Sequence, residues 1–252
     1  MNFKELHQQS APILICNVWD VTSAKAAQKL NFQAIGTSSG AIAAMLGYQD
    51  GEEMSFPELA YIVERIIKST NLPLTVDLEA GYSRVPAEIA NNIIQLANLG
   101  VVGVNLEDSI VDGERAIVDA DSFSQLLEAV CTILAQQNKN VFINVRTDTF
   151  LLNVPNAVNE TIARANKYQK AGATGLFVPC IVDEKDIAIV LKGTSLPLNV
   201  MCMPTLPAFG VLEKLGVKRI SMGSFVFKKA NALLEKEMKQ IQENKSFKNL
   251  FN

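Results

Sequence analysis

Ala97-Asn98-Leu99-Gly100-Val101-Val102-Gly103-Val104-Asn105-Leu106 is the stretch that decides the fold. It reads as the end of a helix, a glycine that can take the left-handed conformation closing it, and an apolar strand that starts at once. Three more junctions have this form: Gln28 to Gly36, Gln169 to Val178 and Glu213 to Ser221. Each reads as the second half of a βαβ unit. Short aliphatic runs lie between them at Ile13 to Cys16, Leu74 to Val76, Val141 to Val145 and Leu198 to Met201, which brings the expected strands to eight. Helices are expected over Ser55 to Ser69, with a Ser55-x-x-Glu58 capping box, over Pro86 to Asn98, opened by proline, and over Ser122 to Gln136 and Ala157 to Ala171. Apolar strands alternating with amphipathic helices predict a parallel sheet covered by helices. Eight such units in 252 residues match a closed (β/α)₈ TIM barrel, read as one domain over residues 1–252. An open doubly wound sheet is the alternative, but Asn17-Val18-Trp19-Asp20 after the first strand lacks the glycines of its phosphate-binding turn.

Composition narrows the function. The chain is 48% apolar and 19% charged, enough to bury one large core without disulfides or a structural metal. A net charge of −3 offers no basic stripe for nucleic acid and no polybasic segment for a membrane surface, so a small molecule is the expected partner. No apolar run of about 18 residues is present, and Met1 to Leu6 lacks the apolar core of a signal peptide, so a cytoplasmic protein is expected. Cys16, Cys131, Cys180 and Cys202 are too scattered for a zinc site or a disulfide framework. The single histidine, His7, lies in a polar stretch outside the expected core, which argues against a Ser-His or Cys-His nucleophile pair.

In a barrel, chemistry gathers at the C-terminal ends of the strands. There the chain places Gly36-Thr37-Ser38-Ser39-Gly40, then Asp77-Leu78-Glu79-Ala80-Gly81-Tyr82, then Asn105-Leu106-Glu107-Asp108, then Arg146-Thr147-Asp148. Four acidic groups on two neighbouring strands would repel one another unless a cation lies between them. Carboxylate oxygens without histidine or cysteine favour Mg²⁺, with Mn²⁺ the other candidate. Taken singly, Asp77 or Glu107 could instead cap a helix or pair with Arg146. Arg146 follows an apolar strand and is placed to bind a carboxylate, or to pair with Glu107 or Asp148. The Thr37-Ser38-Ser39-Gly40 turn offers free backbone N–H groups as an anion nest.

These segments, together with Leu46-Gly47-Tyr48-Gln49-Asp50, resemble the isocitrate lyase and phosphoenolpyruvate mutase superfamily in order and spacing, from about Cys16 to about Gly223. The resemblance implies a Mg²⁺-dependent enzyme that acts on a small 2-oxo or 2-hydroxy acid through an enolate. It implies Asp77 as the direct metal ligand, with Glu79, Glu107 and Asp50 holding the ion or its waters. It places Arg146, Ser38, Ser39 and Gly40 on the acidic group of the substrate, and gives Asp50, Glu107 and Arg146 the catalytic roles. The chain departs from the family in two places. The lyase loop containing Lys-Arg-Cys-Gly-His is replaced by Ser109-Ile110-Val111-Asp112-Gly113-Glu114-Arg115, and the Lys-Thr-Asn loop of the mutases is missing too. The usual Asp-x-Asp pair is Asp77-x-Glu79. Carbon–carbon cleavage is the first expectation, with Asp112, Glu114 or Arg115 standing in for the missing acid. Oxaloacetate decarboxylation, a phosphonopyruvate-type C–P reaction and a non-catalytic oxyacid-binding barrel are the alternatives. Cys180 could replace the acid, although an isolated cysteine more often packs than reacts. The resemblance also implies a homo-oligomer, a dimer or tetramer, that exchanges a C-terminal helix. Phe225, Ala230, Leu233, Leu234 and Met238 would form that helix's apolar face, as they would in an ordinary final barrel helix.

Overall fold

In a computed structural model describing residues 2–251, eight parallel strands close into a barrel. They are β1 (Ile13–Val18), β2 (Ala34–Thr37), β3 (Leu74–Asp77), β4 (Gly103–Glu107), β5 (Phe142–Arg146), β6 (Gly175–Phe177), β7 (Leu198–Met201) and β8 (Arg219–Ser221). Each pairs with the next, and β8 closes on β1 with Ile13 opposite Arg219. The four helix-to-strand junctions turn as the sequence demands: Asn31, Gly100, Gly172 and Gly216 all have positive φ. The Ser55–Glu58 capping box forms ahead of the helix Phe56–Ile67.

Strand alternation divides the side chains into two environments. Outward residues such as Ile35, Val76, Val104, Val145 and Val200 pack under the helices and form the main apolar core. The inward side is apolar at its base and largely polar above it, apart from Phe177 and Met201 in the lining of the upper cavity. At the base the short helix Phe3–Leu6 plugs the N-terminal end, and Phe3 and Leu6 join Ile13, Ile15, Ala34 and Phe142 in a separate cluster. His7 belongs to this plug. It is 4% exposed and stacks on the Phe142 ring at 4.2 Å, so the expectation that it lies outside the core is corrected. Its polar neighbours in sequence conceal an i, i+4 pairing with Phe3, whose carbonyl contacts His7 Nδ1 at 2.9 Å.

Two elements depart from an even β/α repeat. Ser109–Asp112 and Glu114–Ile117 pair antiparallel as a hairpin over the C-terminal end of the barrel, turning at Gly113. The helix Phe225–Asn244 has no buried residue. Its Leu233, Leu234 and Met238 are exposed, and near its start Phe227 meets Trp19 edge to face.

Candidate active site

The C-terminal ends of the strands surround a cavity of about 230 Å³. Its lining includes Ser38, Ser39, Gly40, Asp50, Asp77 and Arg146, so six of the eight residues singled out from the sequence share one space. Glu79 and Glu107 lie behind its wall and are buried.

Asp77 ends β3 and is held from three sides. Its Oδ2 accepts from Ser39 Oγ at 2.9 Å and from the Ser39 backbone N–H at 3.4 Å, and its Oδ1 accepts from Asn105 Nδ2 at 3.2 Å. The expected anion nest thus points at a carboxylate of the protein itself. Ser38 caps the helix Ser39–Leu46, with its Oγ accepting from Ala41 N–H. Asp50 stands on the following loop at the rim, where its Oδ1 accepts from Ser39 Oγ at 3.3 Å. Gly40 allows this approach, since a Cβ there would lie 3.3 Å from the Asp50 carboxylate. The loop is fastened to the one after β3: Glu52 N–H donates to Glu79 Oε2, and Tyr82 N–H donates to Glu52 Oε1. Burial, followed by the charges of Asp50, Asp77, Glu107 and Glu52, pushes the Glu79 carboxyl up to about 8. Like charges are therefore crowded here.

Arg146 ends β5 and directs its guanidinium at protein carboxylates. Nε donates to Asp148 Oδ1 at 2.6 Å and Nη2 to Asp148 Oδ2 at 3.0 Å, while Nη1 lies 2.9 Å from Glu107 Oε2. The fork expected to clasp a substrate carboxylate clasps Asp148. Burial opposes the Arg146 charge, but Glu107 and Asp148 outweigh it and hold the group above its ordinary value. From the hairpin, Arg115 reaches into the same cluster. It pairs with Glu107, donates to Ser109 Oγ at 2.8 Å and to Asp148 Oδ2 at 3.2 Å, and lies 3.9 Å from Asp50. Burial raises the Glu107 carboxyl, while Arg146 and Arg115 pull it back.

Asp108 is not part of this cluster. It faces the helix layer, where Thr147 Oγ1, Asp148 N–H, Arg164 and Tyr168 Oη all donate to it. Cys180 sits in a left-handed turn and does not line the cavity, and burial raises its thiol. Residues the sequence reading missed are Asn105, Asn144, Asn199, Arg219 and Ser221. They form a polar belt across the barrel at the cavity floor, where Asn105, Arg219 and Ser221 join the lining, with Asn144 Nδ2 donating to both Asn105 Oδ1 and Asn199 Oδ1. Alternation could have found them. Asn105 precedes Glu107 by two residues and Asn144 precedes Arg146 by two, so each pair shares the inward face.

A closed barrel with ionisable groups gathered in a cavity at the C-terminal strand ends has the layout of a (β/α)₈ enzyme. A family model described as phosphoenolpyruvate phosphomutase matches residues 3–242, and the chain belongs to this family, within the isocitrate lyase and phosphoenolpyruvate mutase superfamily. An uncharacterised protein of Mycobacterium tuberculosis is 35% identical over 89% of this chain and 82% of its own length. An oxaloacetate decarboxylase of Paraburkholderia xenovorans is 25% identical over 91% and 78%. A crystal structure from Burkholderia cenocepacia, provisionally named a phosphonomutase, superposes with a TM-score of 0.89 at 36% identity, covering 94% of this chain and 98% of that one. The chain is an enzyme of this lyase and mutase superfamily.

Proposed function

We propose that the protein is a single-domain, Mg²⁺-dependent lyase that breaks a carbon–carbon bond of a small 2-oxo or 2-hydroxy carboxylic acid through an enolate. The observation that carries this reading is the meeting of Asp50, Asp77 and Arg146 on one cavity, with Glu79 and Glu107 close behind. Among the described residues, no three His, Cys, Asp or Glu side chains form a ready metal cage. Mg²⁺ does not require one, because it keeps several waters and is held by one or two carboxylates plus the substrate. The donor set fits such an ion: Asp77 would bind it directly, and Asp50, Glu79 and Glu107 would accept from its waters. Mn²⁺ fits the same oxygen donors. When bound, the ion would supply Lewis-acid stabilisation to the oxygen of the enolate.

The chain's own residues have separable tasks in this reading. Ser39 and Asn105 fix the Asp77 carboxylate. Ser38, Ser39 and Gly40 shape the wall that receives the acidic end of the substrate. Arg146, locked by Asp148 and Glu107, presents its remaining N–H groups to developing negative charge without having to reorganise. The hairpin brings Arg115 over the rim, close to Asp50.

Decarboxylation of a 2-oxo diacid is the second reading. It is favoured by the cavity lining, whose carboxylates Asp50 and Asp77 are taken up by the metal in this reading and which contains no lysine, histidine or cysteine among the described residues, since loss of CO₂ needs no base to take a hydroxyl proton. NMR-monitored turnover of oxaloacetate and a panel of 2-hydroxy diacids separates the two. Mg²⁺-dependent release of CO₂ from oxaloacetate alone selects decarboxylation, whereas cleavage of a hydroxy acid selects the first reading. No turnover with any of them, with Mg²⁺ or with Mn²⁺, contradicts both.

The protein is further proposed to work as a homo-oligomer, a dimer or tetramer. The helix Phe225–Asn244 leaves its own barrel uncovered beside β1 and β8. An apolar groove with Leu14, Leu206, Phe209 and Ile220 in its lining remains there. A second copy, contributing the same helix, is the occupant that satisfies both apolar faces at once.

A further inference from the structure

The chemistry proposed above uses Arg115 and Arg146 and leaves Arg219 without a task. Arg219 opens β8 on the inward face, is 2% exposed, and contributes to the cavity lining. Arg115, Arg146 and Arg164 are each paired with carboxylates, but Arg219 is paired with none. Its Nη2 donates to Asn105 Oδ1 at 3.3 Å, and its Nε and Nη1 have no partner. A guanidinium removed from water without a counter-ion is strongly unfavourable, so a stable fold retains one only where something else compensates.

The surroundings admit this group without neutralising it. Inner layers of such barrels are ordinarily filled by branched aliphatic side chains. Here Thr75, Asn105, Asn144 and Asn199 take those places, and Gly36 and Gly175 contribute no side chain. A Cβ at position 175 would lie 2.7 Å from Asn144 Oδ1. Burial lowers the Arg219 guanidinium to about 10 against the opposing pull of Asp77, so it is a cation at neutral pH.

The charges around the cavity indicate what this cation does. Asp50, Asp77, Glu107 and Asp148 bring four carboxylates, while Glu79, pushed up to about 8, holds its proton near neutral pH. Arg115, Arg146 and the divalent ion of the proposed function, on which this step rests, balance those four. Arg219 adds a positive charge that nothing else in the site cancels, so a dianion is attracted more strongly than a monoanion. We infer that Arg219 is a specificity-determining residue, a fixed cation at the cavity floor that selects small dianionic oxyacids over monoanionic ones. It acts through its field and through Asn105. It shares the Asn105 Oδ1 with Asn144, which leaves the Asn105 amide N–H group to face Asp77.

The test uses oxalate, a dianion, and oxamate, its monoanionic counterpart of similar shape. Their affinities are measured by calorimetry with Mg²⁺ on the wild type, Arg219→Met and Arg219→Lys, and Mn²⁺ alone is titrated by electron paramagnetic resonance. Arg219→Met is expected to weaken oxalate at least about tenfold more than oxamate while binding Mn²⁺ no less tightly than the wild type. Arg219→Lys is expected to keep the wild-type oxalate-to-oxamate ratio within about threefold. Equal weakening of both anions, or Mn²⁺ affinity falling in step with them, would mark a merely structural residue and overturn the inference. A wild type that binds both Mn²⁺ and oxalate, with the ratio unchanged in Arg219→Met, overturns this inference alone. A wild type that binds neither overturns the metal and enolate reading as well.

Discussion

Glu107 and Asp108 are neighbours in sequence with opposite roles, because successive residues at a strand end face opposite sides of the sheet. Glu107 faces the arginines of the site, whereas Asp108 enters the helix layer and accepts from Arg164, Tyr168, Thr147 and the backbone. Asp108→Ala would strip Arg164 Nη1 of its buried counter-charge and leave the arginine only the partly exposed Glu160 at Nε, so it is expected to lower stability by about 3 kcal/mol in denaturant titration. Its effect on ligand affinity should be small beside that of Asp77→Ala. His7 carries a second prediction at this scale. Burial, followed by the charge of Arg219, lowers its pKa from 6.5 to about 4 in the folded state. The unfolded chain therefore binds the proton more readily between these values, and the native state loses stability as pH falls from 6.5 towards 4. Over this window the loss from His7 is on the order of 3 kcal/mol, and His7→Phe should flatten the dependence of the melting temperature on pH there. An unchanged slope in that variant would show that other groups carry the acid sensitivity. Residues such as Asp77, Glu107 and Arg146 were legible because strand ends are known loci of chemistry. The belt beneath them was not singled out, because asparagine in a strand is easily passed over until alternation is followed inward.

At the scale of elements, the Ser109–Ile117 hairpin is the part of the site least like the family pattern. Read as a departure from a Lys-Arg-Cys-Gly-His loop, it gave no structure. Read by its own residues, Asp112-Gly113 between Ile110-Val111 and Ala116-Ile117 is a tight-turn signal. Of the hairpin's charged residues, Arg115 is the one that reaches Glu107 and Asp148. Paired strands fix its reach to Glu107 and Asp148, and the close approach of Gly51 to Val111 seats the hairpin on the neighbouring loop. Arg115→Ala removes charge-assisted hydrogen bonds, each contributing roughly 1.5–3 kcal/mol, so turnover should fall by about tenfold or more. Glu114→Gln, at the exposed turn, is expected to have a much smaller effect. Unchanged steady-state rates in both variants would remove the hairpin from the mechanism.

Over the whole molecule, the eight-fold alternation was legible because each helix-to-strand junction is a local event, closed by Asn31, Gly100, Gly172 or Gly216. The placement of the final helix was not, since an apolar face at helical spacing does not reveal whose barrel it covers. Its exposed Leu234 and Met238, and the empty groove beside β1 and β8, predict that Leu234→Asp with Met238→Asp shifts the protein to a monomer in light scattering. A wild type that is already monomeric at the same concentration contradicts the exchange of helices. The barrel, the crowded carboxylates and the surrounding guanidinium groups together make one claim: the cavity binds a metal and an enolate-like anion together. Calorimetric titration with oxalate, with and without Mg²⁺, on the wild type and on Asp77→Ala tests it most directly. Binding that requires both the metal and Asp77 is the predicted result. No binding under any condition, or binding indifferent to Mg²⁺ and to Asp77, would contradict it.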